Sequence, residues 1–299
     1  MGQTHLEKQI LWTTDWSTDN RYIAFGGNTD SLKIYETKDM KTVMAFPVKN
    51  MITNVKWHPT KNILAVVTQS NEGTAFLVEI GSKNRVTLIG ISQEGGRGLD
   101  WHHSGEYLAV ADNDGLISLY DEKGNLLRQI KHENSKSITG IDWHPTKTEF
   151  ITVGDKIRKY DLNGTLLKTI NHRHGEVLLL CVAWHPSGKM FVTGDYGDET
   201  NKPWLQYWKE DGQLIKSIDI SKSEYRNIRW NKKGKRLAST SDVLRIWDIK
   251  GNLLHSGIAT NNLWGVSWNS KGNKIVTTSE VKEVVLWSNK AQKLALISQ

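Results

Sequence analysis

The residues of this chain that could do chemistry are few and scattered. His172-Arg173-His174 sets two imidazoles at alternate positions, a spacing able to chelate a metal ion. The run lies between two strand-like segments and is read as a solvated loop instead. His58, His102, His144 and His185 each follow a tryptophan. Histidines that recur at a fixed place mark a recurring turn, not a catalytic base. The single cysteine, Cys181, sits in the apolar run EVLLLCVAW and reads as a small buried hydrophobe. One cysteine supports neither a disulfide within the chain nor a cysteine-based zinc site. The Gly-x-Ser-x-Gly elbow, the phosphate loop ending in Gly-Lys-Ser/Thr and His-Glu-x-x-His are absent from the sequence. The aspartates at strand ends read as turn formers. No catalytic residue, metal or cofactor is assigned, and the chain is expected not to be an enzyme.

The elements that carry these residues are announced by tryptophan. Trp16, Trp57, Trp101, Trp143, Trp184, Trp230 and Trp268 recur at spacings of 41, 44, 42, 41, 46 and 38 residues. Each heads a similar phrase, such as KWHPTKNILAVV, DWHPTKTEFITVGD or AWHPSGKMFVTGD. A period held over the whole chain means a repeat architecture. Each repeat holds four runs of alternating apolar residues, rich in Ile, Val, Thr and Tyr and bounded by Gly, Pro, Asn or Asp. The fourth copy reads SITGIDWHP, EFITVGD, IRKYD and LLKTI. Glycines 124, 164, 212 and 251 recur between the third and fourth runs, where a tight hairpin needs positive φ. Each repeat therefore codes four antiparallel strands. One such sheet cannot bury both faces, but seven arranged radially can.

The chain resembles the WD-repeat (transducin beta-like) β-propellers over essentially its whole length. Trp247-Asp248 is a literal Trp-Asp pair, and Tyr120-Asp121 and Tyr160-Asp161 are near matches. The resemblance implies a hydrogen-bond network of His, Ser/Thr, Asp and Trp within a blade. It is nearly complete in the fifth repeat, with His172 or His174, Thr193, Asp195 and Trp208, and degraded elsewhere. The Gly-His that precedes the first strand in the family is missing, although His132, His172 and His174 fall nearby. The expected fold is all-β: one seven-bladed propeller domain over residues 1–299, four antiparallel strands per blade. All 28 strands can be assigned in order from QILWTTDW (9–16) to KLALIS (293–298). The ring is therefore expected to close by side-chain packing between blades 1 and 7, without the family's usual N-terminal strand exchange. Trp57, Trp101, Trp143, Trp184, Trp230 and Trp268 are expected to be largely buried between blades, with Trp16 more exposed if blade 1 closes loosely.

Bulk properties bound the setting. The start MGQTHLEKQILW lacks the apolar run of a signal sequence, and Leu6 stands where a myristoylation site needs Ser or Thr. No segment approaches the roughly 20 apolar residues of a membrane span. A cytoplasmic, monomeric protein without membrane contact is expected. The net charge of +7 is spread through the repeats.

Register locates a candidate partner site. Four residues before each anchor lie Trp12, Thr53, Arg97, Thr139, Leu180, Arg226 and Trp264, all expected at one mouth of the central channel. Trp, Tyr and Arg dominate binding hot spots. Trp12, Arg97, Tyr225, Arg226 and Trp264 are the proposed recognition residues, partly exposed, with Asn261 and Asn262 as adaptable donors. They suit a peptide with an acidic or aromatic anchor. The long fifth-blade connection, 196–203, opens on the same side. The opposite face gathers Lys61, Lys123, Lys147, Lys189, Lys250 and the turns Asn231–Arg236 and Ser270–Lys274, whereas Asp112, Asp114, Asp155, Asp195, Asp198, Asp242 and Glu280 lie on the mouth side. Two functions compete: a protein-interaction scaffold at the channel mouth, and binding of nucleic acid or another polyanion by the basic turns. An enzyme with a site in the channel is a third.

Overall fold

The computed structural model describes residues 9–69, 72–82, 84–131, 137–172, 177–198 and 202–298. Among them lie 28 strands in seven four-stranded antiparallel sheets, each built from consecutive segments of chain. No helix among the described residues is long and apolar enough to cross a membrane. The first strand of each blade is the innermost: Leu11–Trp16, Met51–Trp57, Gly96–Trp101, Gly140–Trp143, Leu179–Trp184, Asn227–Trp230 and Leu263–Trp268. Each touches the innermost strand of both neighbouring blades, and Leu11–Trp16 meets Leu263–Trp268, so the ring is closed.

The anchors explain why the blades stack. Trp57 is buried against Tyr22 and Ile34 of blade 1, and Trp101 against Val67 and Leu77 of blade 2. The indole N–H of Trp57, Trp101, Trp143 and Trp268 donates to a backbone carbonyl of the preceding blade, at Asp15, Lys56, Asp100 and Arg229. Each ring thus buries its apolar face and satisfies its polar edge across the same seam. Two expectations need correction. Trp16 is as buried as its counterparts, because Leu11, Ile23 and Phe25 pack with Val276, Val284 and Leu286 of blade 7. The half-buried anchor is Trp230, whose indole N–H finds no acceptor.

The ring is fastened between Trp16 N–H and Ser267 Oγ (3.0 Å) and between Ser270 N–H and the Asn20 side chain (2.7 Å). Blade 7 takes an outer strand from Lys293–Ser298. Residues 1–6, on which the expectation about strand exchange turns, lie outside the described residues, as do His132 and His174.

The recurring histidines are turn clamps. Nδ1 of His144 accepts the N–H groups of Thr146 (3.2 Å) and Lys147 (3.1 Å). That fixes the proton on Nε2, which donates to Gly188 O of the next blade at 3.1 Å. His58 does the same to Gly105, and His185 to Gly234. Gly188 has φ 70°, and a Cβ there would meet the imidazole at 2.4 Å, so the device needs glycine twice over. Two links of the fifth-blade network are in place. His172 Nε2 donates to buried Asp195 (3.0 Å), and Trp208 Nε1 to Thr193 Oγ1 (2.9 Å). Blades 6 and 7 keep the second half, Trp247 to Ser239 and Trp287 to Thr277.

Candidate functional site

The seven residues four positions before the anchors all line one cavity, of about 70 Å3, in the central channel. In five blades a backbone irregularity puts them there. Pairing skips Trp12 between Leu11 and Thr13, Thr53 between Ile52 and Asn54, Arg97 between Gly96 and Gly98, and Leu180 between Leu179 and Cys181. It skips Trp264 together with Gly265, between Leu263 and Val266. A bulge leaves a residue out of the ladder and re-aims its side chain. Thr139 and Arg226 stand just before their strands and remain bonded across, to Val153 O and Thr240 O.

Four of the seven form a continuous stack. The rings of Trp12 and Trp264 lie 4.3 Å apart, tilted by 51°. The Arg97 guanidinium sits 5.0 Å over Trp12, and that of Arg226 sits 3.8 Å over Trp264. Each cation–π contact contributes about 0.5–2 kcal/mol, more as water is excluded. The arginines are not equally compensated. Arg226 pairs with Glu224. Arg97 donates its Nε–H to the neutral Gln69 Oε1 at 2.8 Å, and no carboxylate among the described residues is within ion-pair distance of it. Burial lowers both guanidinium pKa values; for Arg226 burial and then the charge of Arg97 bring it to about 10. Among the described residues, Arg97 therefore holds a positive charge without a carboxylate partner beside flat aromatic surface.

The other expected members fall differently. Tyr225 is fully buried (0 % exposed) and is not on the mouth. Adjacent residues of an extended chain face opposite ways, so Arg226 in the channel sends Tyr225 inward, onto Gly194 of blade 5. Trp264 is 8 % exposed, covered by Arg226 and Trp12, so the expected partial exposure holds for Trp12, Arg97 and Arg226 but not for Trp264. An aromatic outside the proposed set comes close instead: Tyr196, 52 % exposed, has its ring 5.8 Å from the Arg226 guanidinium. It heads the long fifth-blade connection, whose residues 199–201 lie outside the described residues. Asn262 faces Glu280, and Asn261 bonds Thr260. Cys181, in the channel wall, donates its thiol to Tyr225 O, and burial pushes its pKa up to about 12, so it is no nucleophile.

Below the mouth a second set of channel residues, one position before the anchors, includes Asp15, Lys56, Asp100, Asp142 and Arg229. Asp15, Asp100 and Asp142 each accept the backbone N–H of the next blade's anchor, at 2.9, 2.9 and 2.6 Å. Lys56 pairs with Asp100 at 3.2 Å. Burial, and then Asp100, raise the Asp142 pKa to about 7 against the opposing charges of Lys56 and Arg229. The signal was in the sequence, as Asp-Trp at 15–16, 100–101 and 142–143.

Comparison with known proteins fits this architecture. Residues 55–146 match the model of the anaphase-promoting complex subunit 4 WD40 domain, and residues 164–201 match the WD domain, G-beta repeat. Among curated proteins the chain is similar to eukaryotic translation initiation factor 3 subunit I of Sclerotinia sclerotiorum, 25 % identical over 206 residues, covering 64 % of this chain and 59 % of that protein. The same figures hold for subunit I of Botryotinia fuckeliana. A different subunit of the same factor, from Aedes aegypti, is 22 % identical over 274 residues, covering 69 % of this chain and 40 % of the relative. The chain spans little more than half the length of the curated relatives it matches. The period, the seven closed blades and the matched models together make this chain a WD40-repeat protein with a seven-bladed β-propeller fold.

Proposed function

We propose that the protein is a non-catalytic interaction scaffold that receives a partner protein or peptide at the channel mouth. The observation that carries this reading is the Arg97–Trp12–Trp264–Arg226 stack, in which half-buried Arg97 lies on an aromatic face with no carboxylate among the described residues within ion-pair distance. Packing alone does not call for such a group, because burying a charge costs free energy unless it is paired. An acidic side chain or terminal carboxylate of a partner would supply the missing charge, and Tyr196 would add area at the rim. The similarity to subunits of a named multi-subunit factor supports membership of a protein assembly, in the cytoplasm. The test is affinity capture with the wild type beside a Trp12→Ala/Trp264→Ala variant of unchanged fold. The expected result is a partner retained by the first and lost by the second. Equal retention would put recognition elsewhere.

A further inference from the structure

On the face opposite the mouth, two seams between blades carry a charge-neutralising lysine–glutamate pair, and the lysine-rich seam of blades 6 and 7 does not. Lys61, on the first turn of blade 2, pairs with Glu122 on the last turn of blade 3. Lys147, on the first turn of blade 4, pairs likewise with Glu210 of blade 5. At the seam of blades 6 and 7 the corresponding last turn reads Asn289-Lys290, and Arg236 reaches the Asn289 backbone carbonyl (2.8 Å) instead of a carboxylate. The first turn of blade 6 presents Lys232, Lys233 and Lys235 exposed, and that of blade 7 presents Lys271 and Lys274. Among the described residues, none of these five ammonium groups is within ion-pair distance of a carboxylate.

The turns form one surface. A Cβ on Gly272 would stand 3.3 Å from the Asn231 side chain, and Asn289 N–H donates to Asn273 O. They are also fixed. Asn231 Oδ1 accepts the N–H groups of Lys235 and Arg236, Asn269 Oδ1 those of Asn273 and Lys274, and His185 clamps Gly234 at 2.9 Å. Acids on the turns of adjoining blades are engaged within their own blades, Asp39 with Lys41 among them. Asp19 accepts Ser17 Oγ and Arg21 N–H, and Asp248 accepts Asn252 and Lys250 N–H.

We infer that this face of blades 6 and 7 binds the phosphate backbone of a nucleic-acid duplex, independently of sequence. Lysines on rigid turns are point charges that suit phosphate. The three turns carry no aromatic side chain on which unpaired bases could stack, which favours a duplex over a single strand. They carry no large apolar side chain to enter a lipid surface or anchor a protein partner. The surface is separate from the channel mouth, so the two readings stand or fall apart.

Fluorescence anisotropy with short labelled DNA and RNA duplexes tests the inference across a salt series. The variants are Lys232→Glu/Lys233→Glu/Lys235→Glu and a charge-matched control of exposed lysines, Lys38→Glu/Lys49→Glu/Lys131→Glu, each checked for an unchanged melting transition. The wild type should bind either duplex with an affinity that falls steeply with salt. The first variant should lose at least about tenfold in affinity and flatten the log–log salt slope by about 3, roughly one per phosphate contact. The control should stay close to wild type. Absence of binding would overturn the inference. So would equal loss in both variants, which means diffuse net charge, or equally tight binding of polyglutamate or of phosphatidylserine vesicles.

Discussion

The innermost strands carry two sets of polar and aromatic residues into the same channel, three positions apart. Asp15, Asp100 and Asp142, just before the anchors, are satisfied by backbone N–H groups of the next blade and serve to hold the ring. Trp12, Arg97, Arg226 and Trp264, three positions earlier, stack on one another; Arg226 has Glu224, but Arg97 finds no carboxylate among the described residues. Residue type alone does not separate structure from recognition, since both sets place charges in a narrow channel. What separates them is whether the fold itself offers the partner. The first set holds the ring, and we propose that the second receives the partner.

The largest effect should come from the anchors. Trp143→Ala should cost about 3–5 kcal/mol in denaturant unfolding, as emptying an aromatic core site does, whereas Trp12→Ala should cost well under half of that. Equal costs would erase the distinction. Next, Asp100→Ala should cost about 1–3 kcal/mol, because it leaves the Trp143 N–H without its acceptor and Lys56 without its partner. Arg97→Ala should lie within roughly 1 kcal/mol of wild type.

A smaller effect concerns pH. The folded protein holds the Asp142 proton up to about pH 7, whereas an unfolded chain releases it near the ordinary carboxylate value of about 4. The unfolded state binds fewer protons between those values, so this group lowers stability as pH rises through that window. Asp142→Asn keeps an acceptor for Trp184 N–H without the ionisation. Its melting temperature should gain on wild type from pH 4.5 to pH 8, and a constant difference would show that Asp142 is ionised throughout. The smallest effect is expected for Tyr196→Ala, which should leave melting unchanged and weaken a mouth-bound partner modestly. A large loss would move the site's centre to the fifth-blade connection.

Much of this is legible in the sequence. The tryptophan period, the hairpin glycines and the turn histidines are local signals that each repeat states again, so blade number and channel register can be read from them. The offset of the mouth residues is readable too, but its cause is not. Simple alternation predicts a shared direction for Trp12, Arg97 and Trp264, whereas a bulge supplies it, and a bulge is visible only once two strands pair. The same alternation, applied to neighbours, turns Tyr225 inward. Tyr196 heads the long connection expected on the mouth side, but its contact with Arg226 depends on the path of that connection and could not be read from the sequence. The burial of Trp16 depends on how the two chain ends meet, a contact between residues some 250 positions apart that no local pattern records.

The most direct test of the central claim is the equilibrium affinity of a captured partner for wild type and for Arg97→Ala/Arg226→Ala, measured beside thermal melting of both proteins. Affinity should fall at least about tenfold in the variant, equivalent to roughly 1.4 kcal/mol, with melting nearly unchanged. Unchanged affinity, or a loss of affinity that merely follows a loss of fold, would contradict it.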